Sequence, residues 1–216
     1  SESLVEQKTI VDYQQEFRNL SMELSYLRTY QDWAEYYKKI LNWEIKFDKV
    51  FDSEFADLLQ NQKEEANIQF SKFIENNYED WLHSNDKPMM SHTLFKDKVK
   101  PELEKEKVLL LMIDNLRYDQ WKVIEPLFTK FYNKTSEDYY FSILPKATQY
   151  ARNSFFAGLM PSEIPPIRRA VDFVGAIAIK CVLRTPYPSH HSGSPSSITI
   201  SLVACSDCFQ IVAATS

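Results

Sequence analysis

Long apolar runs are missing from this chain of 216 residues. None approaches the roughly 20 residues that a membrane-spanning helix needs, so no membrane segment is expected. The first residues, Ser1-Glu2-Ser3-Leu4-Val5-Glu6, lack a basic start followed by an apolar stretch, and the expectation is a cytoplasmic protein without a secretory leader. Positive charge is in short supply too: 25 Lys and Arg stand against 30 Asp and Glu, a net charge of −5. That balance offers no electrostatic footprint for nucleic acid, so direct DNA binding is not expected. It leaves phosphate esters open as substrates, because bound metal ions bring their own positive charge. Cysteine is scarce and late, with Cys181, Cys205 and Cys208 all in the last 36 residues. The first 180 residues must therefore fold without a disulfide. What is present, 44% hydrophobic and 14% aromatic residues, is enough for a buried core.

Residues 1–84 are free of Gly and Pro and read as helical throughout. Ile10, Tyr13, Phe17, Leu20, Leu24 and Leu27 step by three and four, one apolar stripe on a helix. Thr29 with Asp32 has the spacing of a capping box for a second helix. That helix carries Trp33, Tyr36, Tyr37, Ile40, Trp43 and Phe47 on one face. Asp52 or Ser53 is placed to cap a third helix bearing Phe55, Leu58, Phe70, Phe73 and Trp81. Three helices with short connections predict an antiparallel bundle, its aromatic stripes packing a core rather than a ligand. Asn85-Asp86-Lys87-Pro88 breaks the pattern and opens a linker with a short helix, together residues 85–103.

From about residue 104 to 164 the class changes, to α/β. Val108-Leu109-Leu110-Leu111-Met112-Ile113 is a continuous apolar run, the signature of a parallel strand covered on both faces. An amphipathic stretch follows from about Tyr118 to Phe131. Tyr139–Leu144 is a second strand candidate, and Gln149–Ala157 reads as a helix stopped by Gly158. Strand, helix, strand, helix predicts a sheet joined by crossovers. Asp114 ends the first strand, at the sheet edge where α/β proteins bind ligands, with Asn115, Arg117 and Asp119 beside it. Its plain alternative is a cap on the next helix. Thr148 opens the Gln149–Ala157 helix, where free N–H groups and the helix dipole attract anions. It reads as an N-cap or as a nucleophile facing a bound phosphate.

Composition shifts again from about residue 165. Only Asp172, Lys180, Arg184 and Asp207 are charged from Ala170 onward, against 51 charged residues before it. Residues 165–216 are therefore expected to be an anomalous tail, frameshifted or disordered, that does not continue the α/β pattern. Cys205-Ser206-Asp207-Cys208 and His190-His191 do not have the spacing of a zinc knuckle.

Three strings carry a family resemblance: Met112-Ile113-Asp114-Asn115-Leu116-Arg117-Tyr118-Asp119-Gln120-Trp121, Ala147-Thr148-Gln149-Tyr150-Ala151-Arg152-Asn153, and Gly158-Leu159-Met160-Pro161. They resemble the PglZ family of the alkaline phosphatase superfamily. Asp32-Trp33, Asn67-Ile68-Gln69-Phe70 and Met90-Ser91-His92-Thr93-Leu94-Phe95 are similar to the helical spacer of PorX-like response regulators, in which a receiver domain precedes spacer and PglZ domain. The resemblance runs from the start of the chain to about Ile164.

It implies an α plus α/β fold, a helical bundle followed by an incomplete alkaline-phosphatase-like α/β domain. It also implies zinc as cofactor, Thr148 as nucleophile and metal ligand, and Asp114 as metal ligand, with Asn115, Arg117 and Asn153 in support. The implied substrate is a phosphodiester or nucleotide, and the implied partner a second copy or a signalling protein. Lys146 departs from the small hydroxyl residue common beside the nucleophile. The family completes its metal site with Asp and His residues from later strands, and no such motif follows Ile164. A fragment of a two-component response regulator is expected, inactive or barely active as a phosphoesterase. The alternative is a non-catalytic signalling module working through the bundle.

Overall fold

The computed structural model describes residues 2–48, 53–105, 108–114, 116, 118–144, 148–164, 183–184 and 199–205. Contacts divide the chain into two compact units, with the division falling between Lys87 and Pro88.

The first unit contains helices α1 (Glu2–Leu24), α2 (Tyr30–Phe47) and α3 (Ser53–His83). The apolar stripes face one another. Tyr13, Leu20 and Leu24 of α1, Trp33, Tyr36, Ile40, Trp43 and Phe47 of α2, and Leu59, Ala66, Phe70 and Trp81 of α3 are all buried. Leu58, expected in the stripe, is 39% exposed, while Leu59 is buried. The inward row of α3 steps through residues 55, 59, 62, 66, 70 and 73, and Leu58 lies about 100° off that line. The row also carries Gln62, a buried amide that donates to Phe17 O (3.3 Å) and Ser21 Oγ (3.1 Å) of α1. A polar tie inside an apolar seam favours one helix register over its neighbours.

The start of α2 is as the sequence predicts. Asp32 N donates to Thr29 Oγ1 (3.2 Å), and Thr29 N donates back to Asp32 Oδ2 (2.8 Å). Amide donation from Thr29 and then Arg28 keeps the Asp32 carboxyl below its ordinary range. Thr29→Ala is expected to destabilise the unit by about 1 kcal/mol in urea melts, and a loss below about 0.3 kcal/mol would show the cap to be idle. The cap of α3 lies outside the described residues.

The second unit begins with a connector, Pro88–Leu94, then a single π turn at Phe95–Val99 and the short helix α4 (Lys100–Leu103). The sequence predicts an ordinary helix around Ser91–Lys98. The π turn arises because Pro101 has no N–H for the Asp97 carbonyl and its ring crowds that oxygen, so the chain widens and Lys100 N bonds Phe95 O instead.

Strand β1 (Val108–Asp114) follows, then α5 (Tyr118–Phe128), β2 (Asn133–Lys134), α6 (Thr148–Ala157), β3 (Leu183–Arg184) and β4 (Thr199–Cys205). The sheet order is β1-β4-β3-β2, and β1 and β4 run parallel, paired from Val108↔Thr199 to Asp114↔Cys205. Adjacent residues of β1 join different clusters. Leu110 packs with Val99, Tyr140 and Phe155, whereas Leu111 packs with Trp121, Phe128 and Tyr132. Alternation along a strand sends neighbours to opposite faces, so α6 with the π turn and α5 cover opposite faces of β1.

One expectation needs correction. Tyr139–Leu144 is not a strand of the sheet. It makes one isolated parallel bridge, Phe141 with Met90 of the connector. Tyr140, Phe141 and Ile143 are buried, so their apolar character reports burial and not ladder pairing. Of residues 165–216, expected to be a frameshifted or disordered tail, the described ones, 183–184 and 199–205, form β3 and β4. Thr199–Cys205 is apolar and rich in β-branched residues, a good strand that composition averaged over a serine-rich stretch conceals. Among the described residues, no helix is long and apolar enough to cross a membrane.

Candidate active site

Each expected site residue has a definite backbone setting or falls outside the described chain. Asp114 closes β1, and its Cα registers with that of Cys205, which closes β4. Two parallel strands therefore end together at their carboxyl edge, the usual ligand edge of such a sheet. Thr148 is the first residue of α6, inside the first turn and not ahead of it. Asn153 is half-buried midway along the same helix. Asn115, Arg117 and Lys146 lie outside the described residues, as do His190, His191 and Cys208.

The helix that carries Thr148 is moored at its far end. Phe155 and Phe156 each place their rings 5.6 Å from Phe95 of the π turn, and Phe155 is almost wholly buried with Leu94, Val99 and Tyr140. Gly158 terminates α6 with φ of +68°, a conformation that strains any residue with a side chain. Ser154 is fully buried, and its hydroxyl has no hydrogen-bond partner among the described residues.

The connector holds the chain upstream of Thr148. Phe141 N donates to Met89 O (2.8 Å), Ser91 N donates to Phe141 O (2.9 Å), and Ile143 N donates to Ser91 Oγ (3.1 Å). Sequence reasoning missed this brace, because its partners are some fifty residues apart and no local pattern links them.

On the α5 side, a second feature was also missed. The Glu137 carboxylate accepts from Tyr118 OH, Lys122 Nζ and Lys134 Nζ, each at 2.8 Å, and both lysines also bond Glu125. Burial works to raise the Glu137 carboxyl, but the bonds from Lys122, Lys134 and Tyr118 outweigh it and hold the group down to about 2. Burial and donation to Glu137 push the Tyr118 phenol up. A carboxyl depressed by folding stabilises the fold above its unfolded value of 4.5, and that contribution is lost as pH falls toward 2. The urea midpoint should fall more between pH 5 and 2 for the native chain than for Glu137→Gln. Parallel losses would show that the network carries no stability.

A catalytic zinc takes about three protein ligands. A carboxylate and a hydroxyl, the side-chain groups of Asp114 and Thr148, are oxygen donors of a kind that suits zinc. Among the described residues, no group of three or more His, Cys, Asp and Glu is placed to hold a metal. These two residue types fit part of a zinc site, and among the described residues no cluster of further ligands completes it.

Two family models match in tandem. Residues 3–82 match the PorX response regulator linker domain, and residues 94–181 match the BREX system PglZ alkaline phosphatase-like domain. The chain belongs to the PorX-like PglZ proteins. A search of curated proteins finds no match. The linker match spans α1 to α3, so in this PorX-like protein the bundle is the linker domain. The PglZ match takes in β1, α5 and α6, and with them Asp114 and Thr148. It runs on to Cys181, beyond Ile164, where the resemblance carried by the quoted strings ends.

Proposed function

We propose that this PorX-like PglZ protein is a response-regulator module for zinc-dependent phosphoester hydrolysis, with Thr148 as nucleophile, Asp114 as metal ligand and a phosphodiester or nucleotide as substrate. The observation that carries this reading is the core shared by β1 and α6, in which Leu110 and Phe156 pack against the buried cluster of Leu94, Val99, Tyr140 and Phe155. Asp114 is four residues beyond Leu110, about 13 Å along the strand, and Thr148 is seven residues before Phe155, about 10 Å along the helix. With α6 antiparallel to β1, those two ends would share one rim.

Zinc held by Asp114 and Thr148 would lower the pKa of a coordinated hydroxyl and so supply an alkoxide at neutral pH. The free N–H groups of the first turn of α6 bind the non-bridging phosphate oxygens, and the helix dipole adds about half a positive charge there. The Thr148 oxygen attacks phosphorus, forming a Thr148 O–P bond as the P–O bond to one ester group breaks; the hydroxyl proton passes through solvent to the departing alkoxide, and water then cleaves the phosphothreonine and frees the hydroxyl. Asn153 and Arg117 serve as supports. With two donors, this chain should turn over a phosphodiester barely above the solvent background.

The test pairs equilibrium zinc binding with hydrolysis of a chromogenic phosphodiester, for the full chain, Asp114→Ala and Thr148→Ala. Zinc affinity that ignores both substitutions would sink the reading. The linker-domain match favours a second role for the bundle, docking a signalling partner or a second copy. In that reading partner binding survives both substitutions.

A further inference from the structure

The connector runs beside the chain that leads into Thr148, and one of its side chains finishes the pairing there. Met90 and Phe141 form a parallel bridge, with Phe141 N bonded to Met89 O and Ser91 N to Phe141 O. In a continuing parallel ladder, the next rung would run from Ile143 N to the Ser91 carbonyl. The connector has already turned away, however, with Thr93 N and Leu94 N both bonded to Met90 O. The Ser91 hydroxyl takes the carbonyl's place and accepts from Ile143 N at 3.1 Å. Ser91 is 2% exposed and Ile143 fully buried, so water cannot replace this acceptor. Ile143 stands five residues before Thr148. The same connector also backs the other end of α6, since the His92 carbonyl lies 4.0 Å from where a Cβ on Gly158 would sit.

We propose that Ser91 is a positioning residue for Thr148: its hydroxyl adds a rung after the connector has turned off, and so sets where the chain enters α6. The proposal rests on the reading of Thr148 as the reacting, zinc-binding hydroxyl. An alanine at 91 keeps the packing and removes only the acceptor, leaving a buried N–H unpaired. A threonine keeps the acceptor.

The experiment measures zinc affinity, hydrogen exchange of the 140–157 peptide and melting temperature in the full chain, for Ser91→Ala, Ser91→Thr, Ser91→Cys and Thr148→Ala. Ser91→Ala should exchange about tenfold faster there and bind zinc about tenfold more weakly, the range seen when a group supporting a ligand is lost. Ser91→Thr should restore both. If Ser91→Ala does not fold, Ser91→Cys, a weaker acceptor of similar size, should show the same losses in smaller measure. Zinc affinity weakened by Thr148→Ala but untouched by Ser91→Ala or Ser91→Cys would overturn the positioning role and leave the phosphoesterase reading standing. Zinc affinity indifferent to Thr148→Ala would overturn both. A folded Ser91→Thr that fails to restore zinc affinity would show that packing at 91 matters and the hydroxyl does not.

Discussion

Replacing Tyr13 by alanine should destabilise the helical unit by about 3–5 kcal/mol, as for other buried aromatic truncations. Tyr13 is fully buried on α1, and its ring centroid lies 4.8 Å from Phe47, 5.2 Å from Trp43, 6.0 Å from Phe17 and 6.3 Å from Phe55. All three helices therefore meet on one ring. Edge-to-face contacts of this kind add to the burial itself. The hydroxyl contributes less, since it reaches Gln62 Oε1 only at 3.5 Å and burial pushes the phenol up to about 12. Tyr13→Phe should thus lose under about 1 kcal/mol, and the ratio between the two variants separates ring from hydroxyl. Urea melts of both decide it. A Tyr13→Ala loss no larger than that of Tyr13→Phe would mean that the three-helix core is organised elsewhere.

Thr148→Ala and Asp114→Ala should each weaken zinc binding by roughly a hundredfold, equivalent to about 2.7 kcal/mol. The size follows from the small donor set: with two protein oxygens, each removal halves what the chain offers the ion. Thr148→Ala should also erase whatever slight turnover of a phosphodiester the native chain shows, because the attacking oxygen is gone. Thr148→Ser should keep the metal affinity to within about threefold, since the oxygen and its place at the helix start are unchanged. Turnover that survives in Thr148→Ala would assign the attack to another group and leave the threonine as an N-terminal helix residue.

Local patterns told most about the first unit. The 3.6-residue spacing of Tyr13, Phe17, Leu20 and Leu24, and the Thr29–Asp32 pair, concern residues within a few positions of each other, so one stretch of chain specifies them. Leu58 shows the margin of error, because a step of one residue turns a side chain by about 100°. β1 was legible for the same reason, as a run with no polar break before Asp114.

Order along the chain thus specified the helices, the first strand and the two residues proposed for the chemistry. Folding in three dimensions decided the rest: that Thr199–Cys205 and not Tyr139–Leu144 lies beside β1, that Leu110 and Leu111 face different helices, and that Ser91 reaches Ile143. The β1–β4 ladder and the Ser91–Ile143 bond join segments some fifty to ninety residues apart. An apolar stretch signals only that it will be buried, and which partner buries it depends on the free energies of every competing arrangement of the whole chain.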